Sequence, residues 1–323
     1  MFLYSILFIL LYALMLAYFR LAAHYNIIDK PNQRSSHTYI TVRGGGIVFP
    51  VAVVLWFLFF GFENIYMVAG LMAMAVISFI DDVNTLSGKI RIAIHLLAVS
   101  LLFYQLAIFS LPWWLVLAAY IFTIGWINAF NFMDGINGIA VLYALVSLLT
   151  FYYLTLTLNL NLNLNLLTLL ILASLLFSWF NLRRRARCFA GDVGSVSLAF
   201  MLAWFMISLI QTTGRPEYIL LFSVYAIDSV FTIIHRLLKR ENIFQAHRSH
   251  LYQYLSNELK WPHVWVSISY AVVQAVTNLA IILLIQQQIM TLWLGACILA
   301  LQSVIYLMLR FGVLRRISIV SKA

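Results

Sequence analysis

The chain has 323 residues, of which 64% are hydrophobic and only 9% charged, with a formal net charge of +10. That composition lies outside the soluble globular range. The basic excess is no nucleic-acid footprint either: no base-binding motif accompanies it, the cations sit in short loops between apolar stretches, and no nucleic-acid partner is expected.

Apolar runs long enough to cross a hydrocarbon core ~30 Å thick fall near 2–19, 46–60, 65–80, 92–110, 113–130, 136–155, 165–181, 195–211, 217–234, 264–285 and 290–309. They predict an all-α, polytopic membrane bundle of about eleven transmembrane helices. The first run is similar in place to a signal peptide, but it lacks a basic n-region and a small-residue cleavage site, so it is read as a mature helix. Pro112, Trp113 and Trp114 mark a tight turn with interfacial aromatics. The alternation of Asn and Leu from Asn159 to Leu166 has a strand-like period, but it lies in a loop between spans and is assigned no chemistry. Cys188 and Cys297 are unrelated in position, which argues against a disulfide framework. The longest basic-side loop runs from about 236 to 262, leaving no room for a soluble domain, so residues 1–323 form a single transmembrane domain.

Threading the spans alternately places every Lys and Arg except Arg215 on one side. By the positive-inside rule the N-terminus is outside and the C-terminus cytoplasmic. Four aspartates, Asp81, Asp82, Asp134 and Asp192, fall on the same face, with Asp228 close beneath it. Asp81 and Asp82 close the third span; acids there are opposed by the helix macrodipole, and a divalent cation or the nearby Lys89 or Arg91 would compensate them. Asp134 lies in a run with Asn128, Asn131, Asn137, Gly135 and Gly138, whose amide oxygens suit a hard cation and whose glycines allow close approach of a ligand. Asp192 sits between Gly191 and Gly194, just ahead of a helix N-terminus that favours phosphate. Asp228 lies inside the ninth span, ~12 Å below Arg236, where an intramembrane carboxylate marks either function or a pair with a basic neighbour. Arg183, Arg184, Arg185 and Arg187 serve as a topology anchor or bind phosphate or lipid headgroups. His247, Arg248, Ser249 and His250 could form a ligand-reading patch, while His24, His95, His235 and His263 are isolated.

The blocks FIDDVNTLSGKIR from Phe79, NAFNFMDGINGIA from Asn128, FAGDVGS from Phe189 and IDSVFTIIHRLLKRENIFQAHRSHLYQYL from Ile227 resemble, in order, those of the polyprenyl-phosphate N-acetylhexosamine-1-phosphate transferases. The resemblance implies transfer of a sugar-1-phosphate from a UDP-N-acetylhexosamine to undecaprenyl phosphate at the cytoplasmic face of the bacterial inner membrane. Mg²⁺ or Mn²⁺ would be the cofactor, UMP the second product, and the lipid bilayer the setting, with homodimerisation left open. It further implies that Asp81 and Asp82 act near the lipid phosphate, that Asp192 and Asn131 hold the metal, and that Asp134 belongs to the central polar motif. Arg91, with Lys89 beside it, falls where some members carry a catalytic lysine. Asn128, Asn131, Asn137, Asp228, His247, Arg248 and His250 fall to substrate binding. His247-Arg248-Ser249-His250 departs from a run of three histidines, and elements for a peptide-bearing sugar are missing. That favours the O-antigen-initiating branch over the phospho-MurNAc-pentapeptide translocases. The transferred sugar stays open among GlcNAc, GalNAc, FucNAc and QuiNAc. A direct displacement is expected, with a covalent aspartyl-phosphate route as the alternative using the same parts. A transporter, the rival class, would place its polar groups near the bilayer midplane, whereas here they lie at helix ends.

Overall fold

The computed structural model describes residues 2–29, 39–242 and 248–320. Helix α1 (Phe2–His24) leads into a short antiparallel hairpin, β1 (Ile28–Asp29) with β2 (Thr41–Val42). A 3-10 turn at Gly45–Ile47 opens α2 (Val48–Phe59), followed by α3 (Ile65–Val83), α4 (Gly88–Gln105), α5 (Trp113–Met133), α6 (Ile139–Thr157) and α7 (Leu164–Asn181). Then come α8 (Gly191–Thr213), α9 (Ser223–Leu238), the one-turn α10 (Leu251–Gln253), α11 (His263–Gln286) and α12 (Leu292–Val320). Among the described residues, 10 helical segments are long and apolar enough to span a membrane, and Gly45–Phe59 adds a shorter apolar one. This is the all-α, multi-pass membrane architecture expected from the sequence.

Several boundaries move, among them the end of α1 at His24, the end of α4 at Gln105 and the start of α9 at Ser223. The fourth helix begins at Gly88 rather than near 92, because the Ser87 hydroxyl accepts the Ile90 amide and caps it. The last helix continues to Val320, well past 309.

Helix α8 runs through the centre and is buried on all sides from Val193 to Leu209, as an evenly apolar helix must be. It packs against α2, α3, α5 and α6, while α1 and α12 lie at the rim with most of one side exposed. Lipid offers the backbone no hydrogen bonds, so breaks inside the bundle need side-chain partners. The 3-10 stretch Pro216–Phe222 ahead of α9 is such a break. There Gln274 Oε1 accepts the Val224 amide at 3.1 Å and the Tyr143 hydroxyl at 2.6 Å, and Gln274 Nε2 donates to Asn278 Oδ1 at 2.6 Å.

The Asn-Leu alternation is a helix cap. Asn163 Oδ1 accepts the Leu166 amide and Trp56 Nε1, both at 3.0 Å, tying α7 to α2. Asn165 Oδ1 accepts the Tyr4 hydroxyl at 2.6 Å, tying α7 to α1. At the opposite, basic end, the Phe189 amide donates to Val42 O at 2.8 Å and the Gly45 amide to Phe189 O at 2.9 Å. The hairpin is thereby sewn to the strand-like approach of α8, and both converge where the acids lie.

Candidate active site

Asp81 and Asp82 occupy the last turn of α3, and their environments differ. Asp82 is wedged against the start of α8: its Oδ1 accepts the Asp192 amide at 3.0 Å and its Oδ2 the Val193 amide at 3.1 Å. Arg43, just after β2, donates Nε–H to the same Oδ1 at 2.8 Å, and the Tyr18 hydroxyl holds the Arg43 carbonyl at 2.6 Å. The orphan amides of a helix N-terminus and its positive dipole end are what such a carboxylate satisfies. Gly191 has φ +69°, and a Cβ there would run into Asp82 and Gly44, so only glycine lets the three segments meet. Asp81 instead faces the α3–α4 turn: Oδ1 accepts the Leu86 amide at 2.7 Å, and Oδ2 pairs with Arg91 Nη1 at 2.9 Å.

Arg91 also reaches Asp192, with Nη2 at 3.8 Å from Oδ2. The Asp192 carboxylate is hydrogen-bonded by the Asn131 side chain from the end of α5. Asp134, three residues on, lies just beyond α5 and faces Asp192 and Asp82. Burial, then the negative charge of those two carboxylates, pushes its pKa up to about 7. Four carboxylates thus share this end of the bundle with the guanidiniums of Arg43 and Arg91. Lys89 is exposed and makes no ion pair among the described residues.

This oxygen-only donor set fits a hard divalent cation. Among the described residues no three His, Cys, Asp or Glu converge into a ready-made cage. Mg²⁺ does not require one, since it is usually held by one or two carboxylates together with substrate phosphates. Asp192 and Asn131, with Asp134 beside them, are the groups that would hold it, and the excess of carboxylates over the guanidiniums of Arg43 and Arg91 at this end is the observation in favour.

The remaining expected residues divide. Asn128 lies one turn before Asn131 and donates Nδ2–H to Ile124 O of its own helix at 2.8 Å. Asn137 donates to the Arg183 carbonyl at 2.8 Å and lines a cavity of about 590 Å³. That cavity is walled by Arg184, Arg185 and Lys260 with Tyr39, Phe189 and Trp265, and Arg185 stacks over Tyr39 at 4.4 Å.

Asp228 is fully buried and belongs to a separate knot. Its Oδ2 accepts the Tyr270 hydroxyl at 2.5 Å; its Oδ1 accepts the Leu251 amide and Thr232 hydroxyl at 3.2 Å and the Tyr306 hydroxyl at 3.0 Å. His250 Nδ1 lies 3.2 Å from the same oxygen, and the ring is buried, stacked on Tyr252. His250 is turned inward, while Arg248 remains partly exposed; His247 lies outside the described residues. Tyr252 joins the knot to the acid cluster: its hydroxyl donates to Phe132 O at 2.9 Å and occupies the space a Cβ at Gly135 would need.

In the sequence Arg43 reads only as a topology charge, and Tyr252 does not stand out. The run Arg43-Gly44-Gly45-Gly46 was the visible signal for the first. Nothing local marks the second.

The glycosyl transferase family 4 model matches residues 64–210, which hold Asp81, Asp82, Asn131, Asp134 and Asp192. Over 264 residues the chain is 27% identical to a probable undecaprenyl-phosphate N-acetylglucosaminyl 1-phosphate transferase of Bacillus subtilis (strain 168), covering 73% of this chain and 71% of that protein. It is also 27% identical over 261 residues to the undecaprenyl-phosphate alpha-N-acetylglucosaminyl 1-phosphate transferase of Escherichia coli (strain K12), covering 72% and 70%. A phospho-N-acetylmuramoyl-pentapeptide-transferase of Streptococcus pneumoniae serotype 19F (strain G54) is 29% identical over 193 residues, covering 52% and 59%.

Proposed function

We propose, from this chain's membership of the glycosyl transferase family 4 superfamily of polyprenyl-phosphate sugar-1-phosphate transferases, that it transfers an N-acetylhexosamine-1-phosphate from a UDP-sugar to undecaprenyl phosphate. The products are undecaprenyl-diphosphate-sugar and UMP, at the cytoplasmic face of the bacterial inner membrane. This is the opening step of O-antigen or another cell-surface polysaccharide. The observation that carries the reading is the meeting of Asp81, Asp82, Asp134 and Asp192 with Arg43 and Arg91 at the basic end of the bundle. A cavity with basic and aromatic walls is lined by Thr41, Asn137 and Phe189, each within three residues of one of them in sequence. A transporter would need its charges at mid-depth.

An oxygen of the lipid phosphate attacks the phosphorus that bears the sugar. A P–O–P linkage forms, and the bond to UMP breaks, its electron pair leaving on the UMP phosphate. The lipid phosphate has a second pKa near ~6, so it is already a dianion at neutral pH and needs no strong base. When bound, a divalent cation supplies charge neutralisation at the diphosphate. Arg91, partly exposed between Asp81 and Asp192, is placed to steady an incoming phosphate. Asp82, with both oxygens engaged by protein donors, fixes the position of Asp192 rather than exchanging protons. Arg184, Arg185 and Lys260 offer the cavity cations for the donor diphosphate, and Phe189, Tyr39 and Trp265 offer faces for its base.

The test is a panel of UDP-N-acetylhexosamines given to purified protein with undecaprenyl phosphate and Mg²⁺. A lipid-linked sugar diphosphate should form with at least one of them. No product from any sugar, with folded protein, would retire the reading.

A further inference from the structure

Helix α12 is the least buried of the long spanning helices, and its two buried side chains are Tyr306 and Arg310. Arg310 lies ~27 Å along the helix from Leu292, near the edge of a core ~30 Å thick. An arginine at that depth ordinarily extends to the water interface. This one turns inward. Its Nη1 donates to the Thr232 hydroxyl at 2.9 Å and to the Tyr306 hydroxyl at 2.6 Å, and its guanidinium covers the Tyr254 ring at 5.5 Å.

Both of those hydroxyls also contact Asp228 Oδ1. A hydroxyl whose lone pair faces a guanidinium has its one hydrogen left for an acceptor. That acceptor is Asp228 Oδ1 for Tyr306 and, for Thr232, Asp228 Oδ1 at 3.2 Å shared with the Ser249 carbonyl at 3.4 Å. Arg310 and Asp228 are therefore an ion pair relayed through two hydroxyls, and no carboxylate touches Arg310 directly among the described residues. The same carboxylate oxygen accepts the Leu251 amide and faces His250. From there the chain runs through Tyr252, bonded to Phe132 O, to Lys260 and His263 in the cavity wall.

We propose that Arg310 is a positioning residue for the sugar-nucleotide donor. It orients the Thr232 and Tyr306 hydroxyls, these fix Asp228, and Asp228 fixes the 250–252 turn from which the cavity wall continues. The link to the donor rests on the reading of the cavity as the UDP-sugar site.

Four variants of the full chain in detergent test this: Arg310→Met, Arg310→Lys, Asp228→Asn and the Arg310→Met/Asp228→Asn pair. Amide exchange across 248–253 should rise about tenfold in Arg310→Met and return towards wild type in Arg310→Lys, with the rest of the bundle unchanged. Per folded molecule, kcat/KM for the UDP-sugar should fall about tenfold in Arg310→Met while KM for undecaprenyl phosphate holds. The double variant should lose no more than Asp228→Asn alone, because both changes break one path. Tyr306→Phe removes one relay without changing charge; it should show the same pattern, smaller, and serves if Arg310→Met does not accumulate. Unchanged exchange at 248–253, exchange rising evenly along the chain, or additive losses would each overturn the proposal. Local exchange with the kinetic loss falling on undecaprenyl phosphate would keep the Arg310 path and overturn the donor reading of the cavity.

Discussion

Asp82 accepts the backbone amide of Asp192 at 3.0 Å, so one carboxylate of the α3 pair caps the helix that presents another. Its neighbour Asp81 is tied instead to the Leu86 amide and to Arg91. Adjacent residues in one helix turn thus serve different partners. Asp82→Ala would strand the Arg43 guanidinium and two helix amides, with an expected loss of about 2–3 kcal/mol once the partial exposure of Arg43 is discounted. Asp81→Ala should lose less, about 1–2 kcal/mol, because the Arg91 guanidinium and the Leu86 amide that it leaves behind are partly open to water. Thermal unfolding of both variants in one detergent checks the difference, and equal shifts in Tm would contradict the capping role.

Asp192→Asn should fold as wild type and lose transfer by at least about a hundredfold, since an amide is a neutral, weaker ligand for a hard cation. Size-exclusion elution and Tm establish folding, and product formation at saturating Mg²⁺ establishes the loss. Turnover near the wild-type rate would remove Asp192 from the metal site.

Much of this site was legible because its chemistry is written locally. Asp81-Asp82, the Asn131–Asp134 run and Gly191-Asp192 sit at ends of apolar spans, and charge bias alone puts those ends together. The eleven apolar segments were readable for the same reason. What stayed hidden depends on contacts far apart in the chain. Asp228 draws its partners from Leu251, Tyr270 and Tyr306, and no spacing along α9 announces them. The two-residue strands β1 and β2 carry too short a pattern to read. Arg43 looked like one more inside charge until the fold set it against Asp82.

The pH dependence of stability has a definite sign at Asp134. Its pKa is raised to about 7, chiefly by burial and then by Asp192 and Asp82, against ~3.9 in an unfolded chain. Its stabilising contribution is therefore full below ~4 and lost as pH rises through about 7. Metal-free protein in chelator should lose stability between pH 5 and pH 8 on the order of 1–2 kcal/mol from this group, less than the full shift because Asp134 keeps partial exposure. Asp134→Asn, which stays neutral, should flatten that slope. An unchanged slope in the variant would place the titration elsewhere.

Topology is open to a direct check. With all Lys and Arg but Arg215 at one end, the N-terminus and the loops near 61–64, 110–112, 156–164 and 212–216 should face outward and the C-terminus inward. Cysteine labelling from outside intact cells should modify positions in those loops and spare Arg183–Arg187 replacements. Labelling of the 183–187 loop from outside would invert the arrangement and with it the cytoplasmic placement of the site.

Mechanism separates on a single-turnover experiment. Direct displacement predicts no UMP from enzyme and UDP-sugar until undecaprenyl phosphate is added, and no sugar-phosphate adduct on Asp81 or Asp82. A stoichiometric adduct on either residue would establish the two-step route.

The most direct test of the transferase itself is UMP release measured with each reactant withheld in turn. Purified protein should release UMP only when a UDP-N-acetylhexosamine, undecaprenyl phosphate and a divalent cation are all present, one UMP per lipid-linked sugar diphosphate formed, and Asp192→Asn should release none. UMP release that continues without undecaprenyl phosphate, or at an undiminished rate in chelator, would contradict metal-assisted transfer to the lipid.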